Sequence, residues 1–161
     1  MNVLIVDDEP LILSGLRRAL FNTDWKIAVS EGGEDALRKL AKIHFDFVVS
    51  DMRMPGMDGA ELLEKVRELY PSTVRIMLSG YSDKEAAKRA TFVAHQWLSK
   101  PCDPTALRDG INRIQSIRDS LPSEKICYQV GQIKSLPTPP KIFMRIKALI
   151  KEEDSEMRGV A

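Results

Sequence analysis

The sequence predicts an α/β fold, a doubly wound parallel sheet of five strands with helices on both faces, followed by a C-terminal helical segment. Two observations predict it. Apolar runs of strand length recur five times between residues 3 and 98, and stretches with helical spacing lie between them. Strands that alternate with helices favour a parallel sheet covered on both sides, because each crossover lays a helix on one face of the sheet.

The five predicted strands are short and mostly β-branched, aliphatic or aromatic. They are VLIV at 3–6, WKIAV at 25–29, FVV at 47–49, VRIML at 74–78 and QWL at 96–98. The central runs are interpreted as apolar throughout, as expected of strands that are covered on both faces. WKIAV keeps a charge and is therefore expected at an edge of the sheet.

Apolar stripes at helical spacing predict the helices. The stripes consist of Leu11, Ile12, Leu16, Ala19 and Leu20; Ala36, Leu37, Leu40 and Ala41; Leu62, Leu63, Val66 and Leu69; and Leu107, Ile111, Ile114, Ile117 and Leu121. The last stripe follows Pro104, since proline is tolerated in the first turn of a helix. A weaker, alanine-containing helix is predicted near residues 83–92.

Composition excludes several classes of protein. The 161 residues carry 24 basic and 23 acidic side chains, so charge gives no support for a nucleic-acid-binding or membrane-adsorbing surface. Cys102 and Cys127 lack metal-ligand spacing, which favours a reducing compartment over a disulfide between them. No stretch resembles a signal peptide or reaches membrane-spanning length, so we expect a soluble, cytoplasmic protein.

Polar residues stand where the predicted strands end, and ligands of doubly wound folds bind at that edge. These residues are Asp7, Asp8 and Glu9, then Asp51, then Ser79 and Gly80, and finally Lys100 and Pro101. Each of these residues has an ordinary explanation when it is considered alone. An acid after a strand is often a helix cap, a serine is often a turn residue, and a lysine is often a solvated loop residue. Together at one edge, they predict a functional site.

Close carboxylates repel one another and persist mainly where a cation neutralises them. Oxygen ligands with open water positions favour Mg²⁺ over Ca²⁺, and the absence of His and Cys from the strand ends disfavours zinc. A carboxylate beside Mg²⁺, an ammonium group and a hydroxyl group is equipped to attack a phosphoryl group.

The motifs DDEP, DMRMPGMDG, SGYS and KP, in this order over about residues 1–120, resemble the receiver domain of bacterial two-component response regulators, which has a flavodoxin-like fold. The resemblance implies that Asp51 is the phosphoacceptor. It implies that Asp7 and Asp8 help bind Mg²⁺, with Asp51 and the backbone carbonyl of Arg53 among the ligands. Lys100 would pair with the phosphoryl group, which a sensor histidine kinase or a phosphotransfer protein would supply.

The same resemblance implies a conformational switch. Ser79 would move to bind the phosphoryl group, and Trp97 stands where the family has an aromatic ring that moves with that hydroxyl. A core or surface position for Trp97 is the alternative. The resemblance also implies a cis Lys100–Pro101 bond and a possible homodimer. It implies that the domain transfers and hydrolyses only its own phosphoryl group. The domain is therefore not expected to be an enzyme with an outside substrate.

Residues 121–161 are predicted to be a helical linker and the N-terminal fragment of an output domain. The stretch QVGQIKSLPTPPKIFMRIKALIKEEDSE resembles the opening of the HD-related output domain, HDOD. About 40 residues cannot bury a stable core alone, so a longer protein is expected. A cyclic-dinucleotide phosphodiesterase output remains an alternative, although no histidine follows residue 120. The stretch has no turn-helix pattern with a basic recognition helix, so direct DNA binding is not predicted.

A phosphatase of the haloacid dehalogenase type is the enzymatic alternative. That class also uses a nucleophilic aspartate, Mg²⁺, a hydroxyl residue and a lysine. It needs a second aspartate two residues after the nucleophile, where this chain has Arg53. The alternative is therefore weak.

Overall fold

The computed structural model describes residues 1–80 and 93–119. The elements in these ranges are β1 (Asn2–Val6), α1 (Pro10–Ala19), β2 (Lys26–Ser30), α2 (Gly33–Leu40), β3 (Phe47–Asp51), α3 (Gly59–Leu69), β4 (Val74–Ser79), β5 (Gln96–Ser99) and α4 (Pro104–Asp119). Every predicted strand is present within one or two residues of its expected position. The helix predicted near residues 83–92 and the segment 121–161 lie outside the described residues.

The strands form a single parallel sheet with the order β2-β1-β3-β4-β5. This order confirms the predicted doubly wound fold and places β2 at an edge, as its charged residue suggested. The chain runs outward from β1 to β2 and then returns to β3 on the other side of β1. The carboxyl ends of β1 and β3 therefore flank the point where the winding reverses, which is where such sheets bind ligands.

Helices cover both faces of the sheet and divide its core into two layers. One layer joins α1 and α4 to the sheet through Leu13, Leu16, Leu107 and Ile111, packed on Val3, Ile5, Phe47, Val49, Ile76 and Leu78. The other layer joins α2 and α3 through Ala36, Leu40, Leu62, Leu63 and Val66, packed on Leu4, Val6, Val48 and Met77. Successive strand residues enter opposite layers, since side chains alternate across a sheet.

One central strand departs from the prediction that central runs are apolar throughout. β4 lies between β3 and β5, yet it carries Arg75, which is fully buried. The prediction was wrong here because it treated charge in a strand as a sign of solvent exposure. A buried guanidinium is tolerated where carbonyl oxygens accept its hydrogen bonds, and the Val93 and Thr73 carbonyls do so for Arg75.

Helices in the described ranges are too short or too polar to cross a lipid bilayer.

Candidate functional site

Three carboxylates converge where β1 and β3 end. Asp7 follows β1, Asp8 is the next residue, and Asp51 is the last residue of β3. One oxygen atom from each lies within 4.8 Å of the others. Asp7 is fully buried and Asp51 is 5% exposed, whereas Asp8 is half-buried. The predicted meeting of these side chains at one sheet edge is therefore present, and with Lys100 we call the group the acidic cluster.

Lys100 bridges two of the carboxylates. Its Nζ atom lies 2.8 Å from Asp7 Oδ2 and 2.8 Å from Asp51 Oδ1. The backbone N–H of Lys100 donates to the Ser79 carbonyl at 2.9 Å, which extends the pairing of β4 and β5 by one residue. The Lys100–Pro101 peptide bond is cis, as the family resemblance implied. Lys100 is thus part of the site, although a lysine at this position, considered alone, would be interpreted as a solvated loop residue.

The helix-capping explanation of the first acids does not describe this structure. Glu9 holds the N-cap position of α1 but makes no side-chain capping bond. Asp7 instead accepts a hydrogen bond from the Glu9 backbone N–H at 2.9 Å through Oδ1, which orients its carboxylate. The side chain of Asp8 lies with the other two carboxylates. Asp7 and Asp8 therefore belong to the carboxylate group at the sheet edge and do not cap α1.

The loop after β3 is held against Asp51 by close backbone contacts. Arg53 donates its backbone N–H to Asp51 Oδ2 at 3.2 Å, while the residue itself is exposed. Gly59 begins α3 so close to the strand that a Cβ atom there would lie 2.0 Å from the Asp51 carbonyl oxygen. Asp58 caps this helix by accepting the Glu61 N–H at 2.8 Å. The glycine that closes DMRMPGMDG is therefore required sterically, because any side chain would push α3 away from Asp51.

The predicted switch residues, Ser79 on β4 and Trp97 on β5, lie on the same face of the sheet but have different surroundings. Ser79 ends β4 half-buried, and its hydroxyl donates to the Gly80 carbonyl at 3.2 Å. Trp97 lies beside Met77 in the register of β4 and β5 and packs on the core layer that contains α2 and α3. Trp97 is only partly buried, so its ring bridges the core and the surface.

The charges of the acidic cluster influence one another. Burial raises the pKa of the Asp51 carboxyl group; the Lys100 ammonium opposes that rise, and Asp7 adds to it. Burial alone would lower the pKa of Lys100, but hydrogen bonds and attraction from Asp51 and Asp7 outweigh it, so that pKa is raised. Lys100 therefore stays charged at neutral pH, where its ammonium group contacts Asp7 and Asp51.

An apolar cavity of about 350 Å³ adjoins the acidic cluster and shares Lys100 with it. Its wall includes Leu16 of α1, Leu78 of β4 and the thiol-bearing Cys102. Cys102 is a free cysteine, and burial raises the pKa of its thiol, with Asp103 adding to the rise. The thiol is thus a neutral group in the apolar wall of the cavity. The free state of Cys102 agrees with the prediction of an unpaired cysteine. Cys127 lies outside the described residues.

Sequence reasoning missed two features that shape this site. The first is the steric role of Gly59, which the Pro- and Gly-containing loop did not distinguish from ordinary turn chemistry. The second is the buried pair of Arg75 and His95, which are hydrogen bonded to one another. The sequence did contain a sign of this pair, since an arginine inside an otherwise apolar central strand is unusual.

Comparison with known proteins places this geometry in a family. A family model described as the response regulator receiver domain matches residues 3–112. The chain is 33% identical over 119 residues to the transcriptional regulatory protein YesN of Bacillus subtilis, covering 70% of this chain and 32% of YesN. It is 37% identical over 102 residues to the DNA-binding transcriptional regulator NtrC of Escherichia coli, covering 63% of this chain and 22% of NtrC. The chain thus spans about a third or less of these relatives.

Solved structures show the same fold. The signal receiver domain of an HD domain-containing protein from Pseudomonas fluorescens is 30% identical, with a TM-score of 0.70 over 74% of this chain and 97% of that one. A CheY-like response regulator receiver domain protein from Methanospirillum hungatei is 28% identical, with a TM-score of 0.69 over 73% of this chain and 95% of that one. Both neighbours are matched almost throughout their length, so the described sheet and helices belong to a receiver fold.

Proposed function

Because the chain belongs to the response regulator receiver family, we propose that Asp51 accepts a phosphoryl group from a sensor histidine kinase or phosphotransfer protein and that this modification controls an output domain after residue 120. One observation carries the proposal. The Asp51 carboxylate ends a buried strand, lies 2.8 Å from the Lys100 ammonium and shares the sheet edge with two further carboxylates.

The proposed step is a direct transfer. An oxygen of the Asp51 carboxylate attacks the phosphorus atom, the bond between phosphorus and the histidine nitrogen of the donor breaks, and the bonding electrons leave with that nitrogen. The product is an aspartyl phosphate. Lys100 is suited to offset negative charge on the transferred group, because its Nζ atom already contacts Asp51 Oδ1.

The donor set fits a hard divalent cation. Asp7, Asp8 and Asp51 offer oxygen atoms within 4.8 Å of one another, and Asp8 is partly open to water. We propose that these residues, with the backbone carbonyl of Arg53, hold Mg²⁺, which when bound supplies positive charge to the phosphoryl oxygens. Asp7 is oriented for this role by the Glu9 N–H.

Ser79 is the proposed switching hydroxyl. It now donates to the Gly80 carbonyl, and that bond would be exchanged for one to a phosphoryl oxygen. Trp97 is proposed as the aromatic residue that follows this change, since it lies in the adjacent strand and is only partly packed. Its indole fluorescence provides a reporter that Trp97→Phe removes; Trp25 is the other tryptophan in the sequence.

The receiver is proposed to act only on itself, by accepting and slowly hydrolysing one phosphoryl group, and not to turn over an outside substrate. Arg53 supports this, because the second carboxylate that a haloacid dehalogenase phosphatase needs is replaced there by an exposed arginine. We place the receiver at about residues 1–120 and propose a cytoplasmic location for it.

The output is proposed to be an HD-related output domain that begins within residues 121–161. The LPTPP element and the helical spacing of the apolar residues after it support this proposal. One structural neighbour is the receiver of an HD domain-containing protein, which supports an output of HD type without separating HDOD from a phosphodiesterase. Paired His and Asp metal ligands in the output domain would favour the phosphodiesterase instead.

Acetyl phosphate and Mg²⁺ test the central proposal. Intact mass should show one acid-labile phosphoryl adduct on the unchanged chain and on Asp24→Asn, a control at an exposed aspartate. The adduct should be absent from Asp51→Asn and should require Mg²⁺. An equal adduct on Asp51→Asn, or none on the unchanged chain, would contradict the proposal.

A further inference from the structure

A second cluster of buried polar groups lies at the end of β4 opposite the acidic cluster. Arg75 on β4 is fully buried, and His95, just before β5, is 5% exposed. The Nε atom of Arg75 donates to the Val93 carbonyl at 2.7 Å, and Nη1 donates to the Thr73 carbonyl at 3.1 Å. The guanidinium thus joins β4 to the residues that lead into β5. We call this group the arginine cluster.

His95 faces Arg75 through both of its ring nitrogens. Nδ1 lies 3.0 Å from the Arg75 backbone nitrogen, and Nε2 lies 3.1 Å from Nη2. A neutral imidazole carries one ring proton, so only one ring nitrogen accepts a hydrogen bond at a time. The backbone N–H of His95 donates in return to the Arg75 carbonyl at 2.8 Å. Backbone and side chain therefore both connect these two residues.

The strand that follows His95 is less buried than the central strands, although Trp97 and Leu98 pack on the two core layers. β5 has four residues, pairs only with β4, and is partly buried or exposed along its whole length. β3, in contrast, is buried at all of its five positions and pairs on both sides. Alternation of faces opposes a one-residue slip of β5 but not a two-residue slip, which returns every side chain to its own face.

The register of β5 matters because Lys100 follows the strand directly. A slip of two residues would keep each side chain on its own face but would move Lys100 by about 6.6 Å along the strand. Its Nζ atom could not then remain at 2.8 Å from both Asp7 and Asp51. The same slip would withdraw the Val93 carbonyl from the buried guanidinium and the His95 ring from the Arg75 backbone N–H, and loss of an acceptor is costly for a buried cation.

We propose that Arg75 and His95 are positioning residues for phosphoryl transfer. They fix the register of β5 against β4 and thereby hold the Lys100 ammonium between Asp7 and Asp51. This role rests on the proposed function, since it matters only if Lys100 acts on the phosphoryl group. It gives a role to the buried pair of Arg75 and His95, which lies outside the acidic cluster.

The placement of the ligands permits a test that separates positioning from general loss of structure. The proposed Mg²⁺ ligands come from β1, β3 and the loop after β3, whereas Lys100 follows β5. Calorimetry on the full chain would measure the affinity for Mg²⁺ alone and then for beryllofluoride, a phosphoryl mimic, at saturating Mg²⁺. His95→Leu removes both ring nitrogens and puts an apolar side chain in their place. His44→Leu, at a largely exposed histidine, is the matched control.

In His95→Leu, the affinity for beryllofluoride should fall by about tenfold or more while the affinity for Mg²⁺ changes by less than about twofold, because only the lysine is displaced. His44→Leu should match the unchanged chain in both. Unchanged beryllofluoride affinity in His95→Leu, or an equal loss of both affinities, would overturn the positioning role.

A variant that keeps part of the contact covers the case in which His95→Leu does not fold. His95→Asn retains one amide acceptor but is too short to meet both Arg75 donors, and a selective loss of about threefold in beryllofluoride affinity is expected. A ratio of the two affinities equal to that of the unchanged chain would overturn the proposal. If the unchanged chain is phosphorylated on Asp51 and these variants behave like it, the proposed function stands and the positioning role fails.

Discussion

The acidic cluster and the arginine cluster both bury charge in the same sheet, but they balance it differently. At the carboxyl ends of the strands, three carboxylates lie together, Lys100 contacts two of them, and Asp8 and Lys100 remain partly open to solvent. At the other end of β4, one guanidinium is enclosed by carbonyl oxygens and an imidazole. One cluster has more charge than its own groups neutralise, and the other is satisfied by polar groups that carry no charge.

The difference separates a reactive arrangement from a structural one. An excess of negative charge at an open edge creates a need for a cation and leaves room for a phosphoryl donor to approach. A buried charge with fixed neutral acceptors has nothing left to bind, and it instead penalises any movement of those acceptors. Burial lowers the pKa of Arg75 to about 9, with the charge of Arg67 adding to the decrease, yet the group stays protonated at neutral pH.

The largest effect is expected when the acidic cluster loses its only cation. Lys100→Ala should slow phosphorylation of Asp51 by acetyl phosphate by about 10²–10³-fold, a loss typical of removing one electrostatic stabiliser. The initial rate of adduct formation, followed by intact mass at saturating Mg²⁺, checks this.

Lys65→Ala, which removes an exposed lysine paired with Glu61, is the control and should leave the rate unchanged. Mg²⁺ affinity should not fall in Lys100→Ala, because the carboxylates lose a competing positive charge. An unchanged phosphorylation rate in Lys100→Ala would show that the two clusters do not differ in the way described.

The second effect concerns stability and the arginine cluster. Arg75→Met removes the donors that serve the Val93 and Thr73 carbonyls and should lower the free energy of unfolding by about 2–3 kcal/mol, since buried acceptors lose their partners. Urea denaturation measures this loss.

Arg113→Met supplies the comparison, because within the described part of the chain Arg113 bonds Gln96 at the surface, at 3.3 Å. Its effect should stay within about 0.5 kcal/mol. Equal stabilities of the two variants would mean that the buried contacts of Arg75 contribute no more than a surface hydrogen bond.

The smallest effect compares a compensated carboxylate with Asp51. Asp35 accepts hydrogen bonds from Lys39 and the Ser30 hydroxyl, which lower its pKa from 3.8 to about 2. A lowered pKa stabilises the fold above pH 3.8, and this stabilisation is lost as the pH falls through about 2. Because the Asp35 side chain is 36% exposed, Asp35→Asn should cost only about 1 kcal/mol at pH 7.

Asp51→Asn should have the opposite sign without divalent ions. Burial raises the pKa of Asp51, with Lys100 opposing and Asp7 adding to the rise, so its ionised form is disfavoured in the fold and the amide should increase stability at pH 7. The changes in stability caused by Asp35→Asn and Asp51→Asn should both shrink as the carboxylates become protonated in acid. Thermal unfolding between pH 3 and pH 7 checks this, and a destabilising Asp51→Asn at pH 7 would contradict it.

Much of the fold and of the site's composition could be predicted from local pattern. Short apolar runs located the five strands, and the charge in WKIAV indicated an edge strand. The convergence of Asp7, Asp8, Asp51 and Lys100 could also be predicted, because parallel strands that end together bring their following residues to one edge. These predictions succeeded because each depends on periodicity and on chain order.

Other features could not be predicted because they depend on residues distant in the chain. The same rule that placed β2 at an edge was wrong for β4, whose Arg75 is buried because Val93 and His95 lie beside it. Likewise, nothing local in Gly59 reveals that the Asp51 carbonyl occupies the space where its side chain would be.

The sequence by itself determined the order of strands and helices, the doubly wound class, and the identity of the side chains at the open edge. Those properties follow from hydrophobic period and from the direction of parallel strands, which short stretches of chain encode. Only the tertiary structure decided which atoms meet: Lys100 Nζ between two carboxylates, α3 against the Asp51 carbonyl, and Arg75 enclosed by the residues before β5. The physical reason is that packing and hydrogen bonding act over distances in space that chain separation does not encode.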